Sequence, residues 1–192
     1  GILQPPFFNL YADDAINYGG IGLVIGHEMT HGFDNQGRQY DKDGNLHDWW
    51  TAADSKAFEQ HTTPLIDQYS KFEVLDSLFI NGTMTLGENI ADLGGATVAY
   101  NAYRLSLAGK PEPEKIDGFT GNQRFFLSYA QIWRNNMREQ ALRKRVLTDE
   151  HSPAKYRVNG VVFNMPEFYA AFPQVKPEDK LFRPESERPV IW

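Results

Sequence analysis

The sequence predicts a mainly α-helical fold with little β-structure. Several long stretches carry apolar residues at the spacing of an amphipathic helix, and residues that favour helix N-termini precede them. The β signal is weak and is confined to Val158–Phe163, a turn-bounded apolar run that predicts one short strand. With 192 residues, 41 % of them hydrophobic, the chain is long enough to bury a core as one domain or a large subdomain.

Two helices are predicted in the first half of the chain. The first runs from about residue 15 to residue 32, after Asp13, whose side chain can cap its N-terminus. The second runs from about residue 51 to residue 72, where Thr51 followed by Asp54 resembles a capping box with a shorter acid. Between the two helices lies a stretch rich in Asp and Gly, which predicts turns.

Two further helices are predicted in the second half. The third begins at Thr83 or Thr85 and ends near residue 108. The fourth spans about residues 122–147, where apolar side chains recur at helical spacing. The tail after Thr148 is predicted to be mostly loop, with short helical turns at 152–156 and 166–171.

Composition excludes several kinds of partner and ligand. The formal net charge of −6 argues against nucleic acid as the main partner. The chain has no cysteine, so any metal site must use histidines and carboxylates. No apolar run approaches the roughly 20 residues that a membrane-spanning helix needs, so no transmembrane segment is predicted.

The stretch GHEMTHGFD, from Gly26 to Asp34, carries a candidate metal site. His27 and His31 are four residues apart, so on a helix they share one face and can bind a single zinc ion. Glu28 lies between them, about 100° around the helix, where it can act on a water molecule without ligating the metal. This is the HExxH pattern. Taken alone it is moderately specific, and a helix with two hydrogen-bonded histidines remains an equal alternative.

A catalytic zinc ion needs a third protein ligand. The residues GFDNQGRQYD that follow His31 include no histidine. The best candidate is Glu88 in TLGENIADLGG, because thermolysin-like zincins take a glutamate from a later helix. Asp92, four residues further on, can accept a hydrogen bond from one ligating imidazole, and Asp34 can do the same for the other. Gly94-Gly95 leaves no side chain and permits close helix packing.

Three motifs together carry a family resemblance. GILQPPFF, NYGGIGLVIGHEMTHGFDNQGRQYDKDGNLHDWW and TLGENIADLGG resemble the neprilysin family of zinc metalloendopeptidases, which includes endothelin-converting enzyme and bacterial PepO. The resemblance runs from Gly1 to Trp192. It implies a thermolysin-like (gluzincin) helical subdomain, Zn²⁺ as cofactor and peptides as substrates. Pro189 stands where the family has a C-terminal cysteine, which favours a bacterial-type member.

The resemblance also implies a role for each matching residue. The implied zinc ligands are His27, His31 and Glu88. Glu28 matches the general base, and Asp34 and Asp92 match the carboxylates that orient the ligands. In HSPAKYR, His151 matches a histidine that stabilises the oxyanion, and Arg157 an arginine that binds a substrate carbonyl. The residues that match the apolar pocket after the scissile bond are Phe7, Leu23, Val24 and Trp133. From the residues alone, His151 is more often a loop histidine, and the four apolar residues are more often core.

The resemblance further implies that residues 1–192 are the C-terminal catalytic portion of a longer protein. The family has a substrate-aligning edge strand and an N-terminal lid portion, neither of which is in this chain, and that portion is an expected partner. The compartment stays open between bacterial cytoplasm and export. Two hypotheses follow: a zinc endopeptidase that cuts oligopeptides, or a zinc-stabilised helical module that has no peptidase activity on its own.

Overall fold

The computed structural model describes residues 1–191. It is 54 % helix and 5 % strand or isolated β-bridge, which confirms the predicted mainly α fold class. The helices are α1 (Asp14–Asn17), α2 (Leu23–Thr30), α3 (Ala52–Ser70), α4 (Leu86–Ser106), α5 (Gly121–Ile132), α6 (Glu139–Thr148), α7 (Ala154–Val162) and α8 (Pro166–Ala171). The strands are β1 (Glu73–Leu75) and β2 (Leu78–Phe79), and 3₁₀ turns lie at His31–Phe33, Gly37–Gln39 and Glu185–Glu187.

The first predicted helix is one helical stretch built from several kinds of turn. α1 passes into a π-helical turn at Tyr18–Gly22 and then into α2, which ends in the 3₁₀ turn His31–Phe33. Asp13 caps the stretch as predicted, because its Oδ1 accepts a hydrogen bond from the Ala15 amide at 3.0 Å. The π-turn widens the helix just before the two histidines, as such turns often do near functional sites.

The second and third predicted helices are close to α3 and α4. The Thr51 hydroxyl accepts a hydrogen bond from the Asp54 amide at 3.1 Å, so the predicted N-cap of α3 is present. α4 follows Thr85 and carries the largest set of buried residues of any helix described. It packs against α2, α3 and α7. The side chains that are fully buried in this core include Leu65, Ile90, Tyr103, Phe125, Tyr129 and Val161.

α2 and α4 cross with their backbones in contact. A Cβ atom added at Gly95 would lie 2.5 Å from the backbone nitrogen of His27 and 2.8 Å from its Cα. One added at Gly26 would lie 2.7 Å from the carbonyl oxygen of Gly95. Neither position therefore tolerates a side chain without a shift of backbone. The crossing places the start of the HExxH segment directly against α4.

The prediction of one helix over residues 122–147 is wrong at its centre. α5 ends at Ile132, Trp133 forms its C-cap, and α6 starts only at Glu139. The intervening segment contains Asn135-Asn136, and asparagine favours turns over helix interiors because its side chain competes for backbone hydrogen bonds. The helical spacing of apolar residues continues across this segment, which is why one helix was predicted, but Asn135-Asn136 favours a break there.

The prediction of a strand at Val158–Phe163 is also wrong, because most of this run belongs to α7. A short buried apolar run cannot be assigned to helix or strand by pattern alone. Here Val161 and Val162 are buried in the core, and the carbonyl oxygen of Gly160 accepts a hydrogen bond from Gln68 of α3 at 3.0 Å. Packing between α3 and α7 thus decides the conformation.

The strands that do form are short and were not predicted. β1 and β2 pair antiparallel around a turn in which Ser77 has a φ of 57°. Only five residues belong to the two strands together, which is too few for an alternating pattern to stand out. Within residues 1–191, no helix combines the length and the apolar character that crossing a membrane would require.

Candidate metal centre

Three side chains converge where α2 and its 3₁₀ extension face α4. The Nε2 atoms of His27 and His31 are 3.0 Å apart. Glu88 Oε2 lies 3.3 Å from His27 Nε2, and Glu88 Oε1 lies 3.3 Å from His31 Nε2. The helical spacing of four residues brings the imidazoles to one face, and the first turn of α4 supplies the carboxylate.

The separations of these atoms suit a zinc ion. Zinc binds imidazole nitrogen at about 2.0–2.1 Å in tetrahedral geometry, which places neighbouring ligand atoms about 3.3–3.4 Å apart. The observed separations of 3.0, 3.3 and 3.3 Å lie close to that value, although the two distances to Glu88 are measured to different oxygens of its carboxylate. One ligand atom from each of the three residues lies within 4.8 Å of the others, and two imidazoles with a carboxylate are a ligand set that zinc accepts, with room for one further ligand. The three residues could therefore hold such an ion without rearrangement of the helices.

A carboxylate orients each of the two imidazoles. Asp92 Oδ1 lies 2.9 Å from His27 Nδ1, and Asp34 Oδ2 lies 2.7 Å from His31 Nδ1. Asp34 is itself fixed, because its Oδ1 accepts hydrogen bonds from the amides of Gln36 and Gly37, both at 2.7 Å. With Nδ1 donating to a carboxylate, each ring presents the lone pair of Nε2 to the shared centre, as is usual for metal-ligating histidines.

Arg157 contacts two carboxylates of the centre, those of Asp92 and Glu88, and neutralises part of their negative charge. Its Nε and Nη2 donate to the two oxygens of Asp92 at 2.7 and 2.6 Å, and Nη2 also donates to Glu88 Oε2 at 3.2 Å. The guanidinium is buried and stacks on the ring of Trp133, 4.1 Å from its centroid. Burial opposes the charged form, but Asp92 and Glu88 outweigh it and raise the pKa of Arg157.

The electrostatics of the centre favour a cation. Burial lowers the pKa of His27, but hydrogen bonds to Asp92 and Glu88 outweigh that effect and raise it to about 9. Burial raises the pKa of Glu88, whereas its hydrogen bond to His27 and the charge of Arg157 lower it, with a net decrease. Glu88 is therefore ionised, and the carboxylates around His27 favour positive charge at that position, whether a proton or a metal ion supplies it.

His151 reaches the centre from the segment before α7. Its Nε2 lies 3.2 Å from Glu88 Oε2, and its Nδ1 lies 2.8 Å from Asp149 Oδ1. The same Asp149 oxygen accepts a hydrogen bond from the backbone amide of His151 at 2.9 Å. Burial raises the pKa of Asp149, but these two hydrogen bonds outweigh it and lower the pKa overall.

Glu28 lies beside the ligands rather than among them. It is exposed on α2, and its carboxylate makes no hydrogen bond or ion pair with any residue in 1–191. The side chain is thus free to act on a molecule that enters the site. The structure brings His27, His31, Asp34, Glu88, Asp92, His151 and Arg157 into mutual contact, whereas Glu28 is placed there only by its position next to His27 in the chain, and the roles of all these residues in a reaction remain predictions.

The four apolar residues predicted to line a substrate pocket occupy different environments. Leu23 is 1 % exposed and belongs to the core, while Phe7 and Val24 are half-buried against it. Trp133 contacts Arg157 and lines a cleft with residues that include Val158. A shared apolar pocket therefore remains a prediction.

Sequence reasoning missed four residues that shape the site. Asp149 and Glu150 precede His151, and an acidic pair beside a candidate histidine was the available signal. Ser152 donates to Asn89 Oδ1 at 2.8 Å, and both side chains are buried. This hydrogen bond joins the neighbours of His151 and Glu88 across 63 positions of sequence, and no local pattern predicts it.

The fold and the site together define a helical protein with a histidine–carboxylate metal centre, held where two helices cross. A family model described as peptidase family M13 matches residues 1–189. The chain therefore belongs to peptidase family M13.

Individual relatives agree with this assignment. The chain is 48 % identical over 172 residues to neprilysin-11 of Caenorhabditis elegans and 45 % identical over 174 residues to endothelin-converting enzyme 1 of Homo sapiens. These alignments cover 88 % and 90 % of this chain but only 20 % and 22 % of the relatives. The chain thus spans about a fifth of the length of the curated relatives it matches.

Solved structures show the same fold. The zinc metalloprotease ZMP1 of Mycobacterium tuberculosis, in complex with an inhibitor, superposes with a TM-score of 0.94 at 50 % identity. PepO from Lactobacillus rhamnosis superposes with a TM-score of 0.86 at 41 % identity. Each match covers 100 % of this chain and 30 % or 29 % of the other. The arrangement of helices described above is therefore that of a segment of larger family members.

Proposed function

We propose that the chain is the metal-bearing catalytic portion of a thermolysin-like (gluzincin) zinc endopeptidase that hydrolyses oligopeptides. The observation that carries the proposal is the convergence of His27, His31 and Glu88 at separations that suit zinc, with Glu28 beside them and unligated. Membership of peptidase family M13 supports it. Relatives several times longer support the further proposal that an N-terminal portion covers this site in the whole protein.

Zinc, when bound, would supply a Lewis acid that polarises the scissile carbonyl and activates water for attack. Glu28 would accept the proton of the attacking water and later deliver it to the leaving amine. Its exposure and its lack of a partner leave the carboxylate available for both transfers. Asp34 and Asp92 would keep the ligating imidazoles in the orientation that the reaction needs.

His151, with both ring nitrogens protonated, would donate a hydrogen bond from Nε2 to the oxyanion that develops on the substrate. Asp149 holds the ring from the opposite side at 2.8 Å, so the imidazole is already oriented. Arg157 would bind a substrate carbonyl. Its Nε and Nη2 are engaged by Asp92 and Glu88, whereas Nη1 makes no hydrogen bond within residues 1–191 and is left for a ligand. Phe7, Leu23, Val24 and Trp133 would favour an apolar residue after the cut.

A substitution of Glu28 tests the proposed general base. Glu28→Gln removes the proton acceptor but keeps the size of the side chain and touches no zinc ligand. We expect the variant to bind zinc as the parent does and to lose about 10²–10⁴-fold in turnover of a peptide substrate. Glu178→Gln is the matched control, because Glu178 is exposed and makes no contact with the site. Normal cleavage by Glu28→Gln would show that this residue is not the base.

A comparison of two forms of the protein tests the alternative, a zinc-stabilised helical module without activity. The cleavage assay is run on residues 1–192 and on the full-length protein, each with and without a chelator. Cleavage by both forms, abolished by chelation, supports an endopeptidase that residues 1–192 complete by themselves, whereas cleavage by the longer form alone supports the alternative for the isolated chain and catalysis for the whole protein. If neither form cleaves peptides although both bind zinc, the proposed function is overturned.

A further inference from the structure

A second group of potential metal ligands lies next to the first. Glu88, Glu150 and His151 each offer a ligand atom, and the three atoms lie within 4.8 Å of one another. Glu88 is the carboxylate that already faces His27 and His31. The other two residues come from the segment between α6 and α7.

His151 is built like the two histidines of the first centre. In all three, a carboxylate holds Nδ1: Asp92 for His27, Asp34 for His31 and Asp149 for His151. The three separations are 2.9, 2.7 and 2.8 Å. In all three, Nε2 faces an oxygen of Glu88, and for His151 the distance is 3.2 Å. A histidine whose Nδ1 is held by a carboxylate presents Nε2 as a metal ligand.

Glu150 contributes a carboxylate that has no other partner. It forms no ion pair and accepts no hydrogen bond within residues 1–191. It lines a cleft of about 140 Å³ together with residues that include His31, Asp34 and Glu88. The cleft provides open space beside the carboxylates of Glu150 and Glu88.

The segment that carries these two ligands is held firmly against α4. Ser152 is fully buried, and its hydroxyl donates to Asn89 Oδ1 at 2.8 Å. Asn89 in turn donates to the Thr85 hydroxyl at 2.9 Å. Asn89 follows Glu88 directly, and Ser152 follows His151 directly. The Asn89–Ser152 hydrogen bond therefore fixes the distance between Glu88 and His151 before any ion binds.

The charged groups around the two candidate sites favour a second cation even after the first has bound. Five carboxylates, those of Asp34, Glu88, Asp92, Asp149 and Glu150, are opposed by two guanidinium groups, those of Arg145 and Arg157. With neutral imidazoles the network carries three negative charges. One divalent ion leaves it still negative, and Arg157 is already matched by both oxygens of Asp92.

From this geometry we infer that Glu88, Glu150 and His151 form a second and weaker Zn²⁺ site, with Glu88 shared between the two ions. Carboxylates bridge paired metal ions in this way at separations of about 3.5–4 Å. The second site is weaker because Glu150 is exposed and Glu88 is shared. An ion there occupies His151 Nε2, so excess zinc removes the oxyanion donor and lowers turnover. That last consequence alone rests on the proposed function.

Zinc titration of the metal-free protein tests the site without any measurement of activity. Equilibrium dialysis with metal analysis gives the number of ions bound, and ¹⁵N shifts of the imidazole nitrogens report which histidine each ion reaches. We expect the first equivalent to shift His27 and His31 and the second to shift His151. Glu150→Gln and His151→Gln should each weaken the second equivalent about tenfold or more and leave the first unchanged. Glu178→Gln, which removes an exposed carboxylate elsewhere, should keep both.

Two results would overturn the second site. One is a single equivalent in the parent protein, with no shift at His151. The other is a second equivalent that survives both Glu150→Gln and His151→Gln, which would place it elsewhere. Absence of the first equivalent would instead count against the proposed function. In the active enzyme, Glu150→Gln should reduce the fractional inhibition by excess zinc, measured against the variant's own turnover at one zinc per chain, whereas equal fractional inhibition of both proteins would exclude the site as its cause.

Discussion

Asp92 is the residue on which most of the centre's order depends. Its two oxygens accept hydrogen bonds from Arg157, and one of them also lies 2.9 Å from His27 Nδ1. It thereby orients a predicted ligand and neutralises a buried guanidinium at the same time. Asp34 performs only the first of these tasks, since its partners are His31 and two backbone amides.

Substitution of Asp92 should therefore affect two quantities. Asp92→Asn is expected to weaken zinc binding about 10–100-fold, because the amide cannot hold His27 as the carboxylate does. It should also lower the free energy of unfolding by about 3–5 kcal/mol, since Arg157 loses a buried charge partner. Competition with a chromophoric chelator measures the first quantity, and urea unfolding of the metal-free protein measures the second.

Asp34→Asn is the matched comparison. Its amide oxygen can still accept from Gln36 and Gly37, so we expect a similar loss of zinc affinity but a change in unfolding free energy of about 1 kcal/mol or less. Equal destabilisation by the two substitutions would contradict the assignment of Asp92 as the partner of Arg157. If Asp92→Asn does not fold, Asp34→Asn still allows the effect of an orienting carboxylate on zinc affinity to be measured.

Among the elements, α2 and α4 could be foreseen and the region after α5 could not. The spacing of His27 and His31 and the motif around Glu88 place three side chains on predictable faces, because helical periodicity is local information. The break after Trp133 follows from Asn135-Asn136, a local signal that the continuing apolar spacing obscured, whereas the helical state of Val158–Phe163 depends on packing against α3 and α4. The Asn89–Ser152 hydrogen bond likewise joins distant segments, and a single sequence carries no sign of such contacts.

The crossing of α2 and α4 leads to a prediction for Gly95. Gly95→Ala adds a methyl group 2.5 Å from the backbone nitrogen of His27, which cannot move without the helix. The gain in helix propensity is about 1 kcal/mol, whereas overpacking costs about 1–3 kcal/mol. We therefore expect a net loss of stability and weaker zinc binding, measured by thermal unfolding and by chelator competition.

Gly32→Ala serves as the control for this substitution. Gly32 adjoins His31, but an added Cβ there would meet nothing within 4 Å. Its stability and zinc affinity should stay close to those of the parent. A variant at Gly95 that behaved like the one at Gly32 would mean that α2 and α4 do not meet as closely as described.

For the whole molecule, metal binding should act as a crosslink between parts of the chain that are far apart in sequence. The predicted ligands lie on α2, on the turn that follows it and on α4, and these elements bury much of the core. A ligand that binds only the folded state stabilises it by about 4 kcal/mol at a thousandfold excess over its Kd. Removal of zinc should therefore lower the stability of the entire chain and not only of the site.

Thermal unfolding with graded zinc, and again with a chelator, measures this effect. We expect Tm to rise with zinc concentration and to fall on chelation. Glu88→Gln lacks the ligand contributed by α4. Its Tm should change only by a small fraction of the parent's change, both when zinc is added and when chelator is added. An unchanged Tm in the parent on chelation would mean that the histidine–carboxylate cluster holds no ion in solution.

The backbone contact between Gly26 and Gly95 has a consequence for which ions can occupy the centre. Two peptide backbones in van der Waals contact cannot approach further, so the crossing sets a lower limit on the gap between the histidines of one helix and the glutamate of the other. A cation with shorter bonds than zinc can therefore be met only by rotation of the His27, His31 and Glu88 side chains, because the two helices cannot move closer together. The two glycines, Gly26 and Gly95, thus set the minimum spacing of the helices that carry the predicted ligands, and the fold determines that spacing before any metal binds.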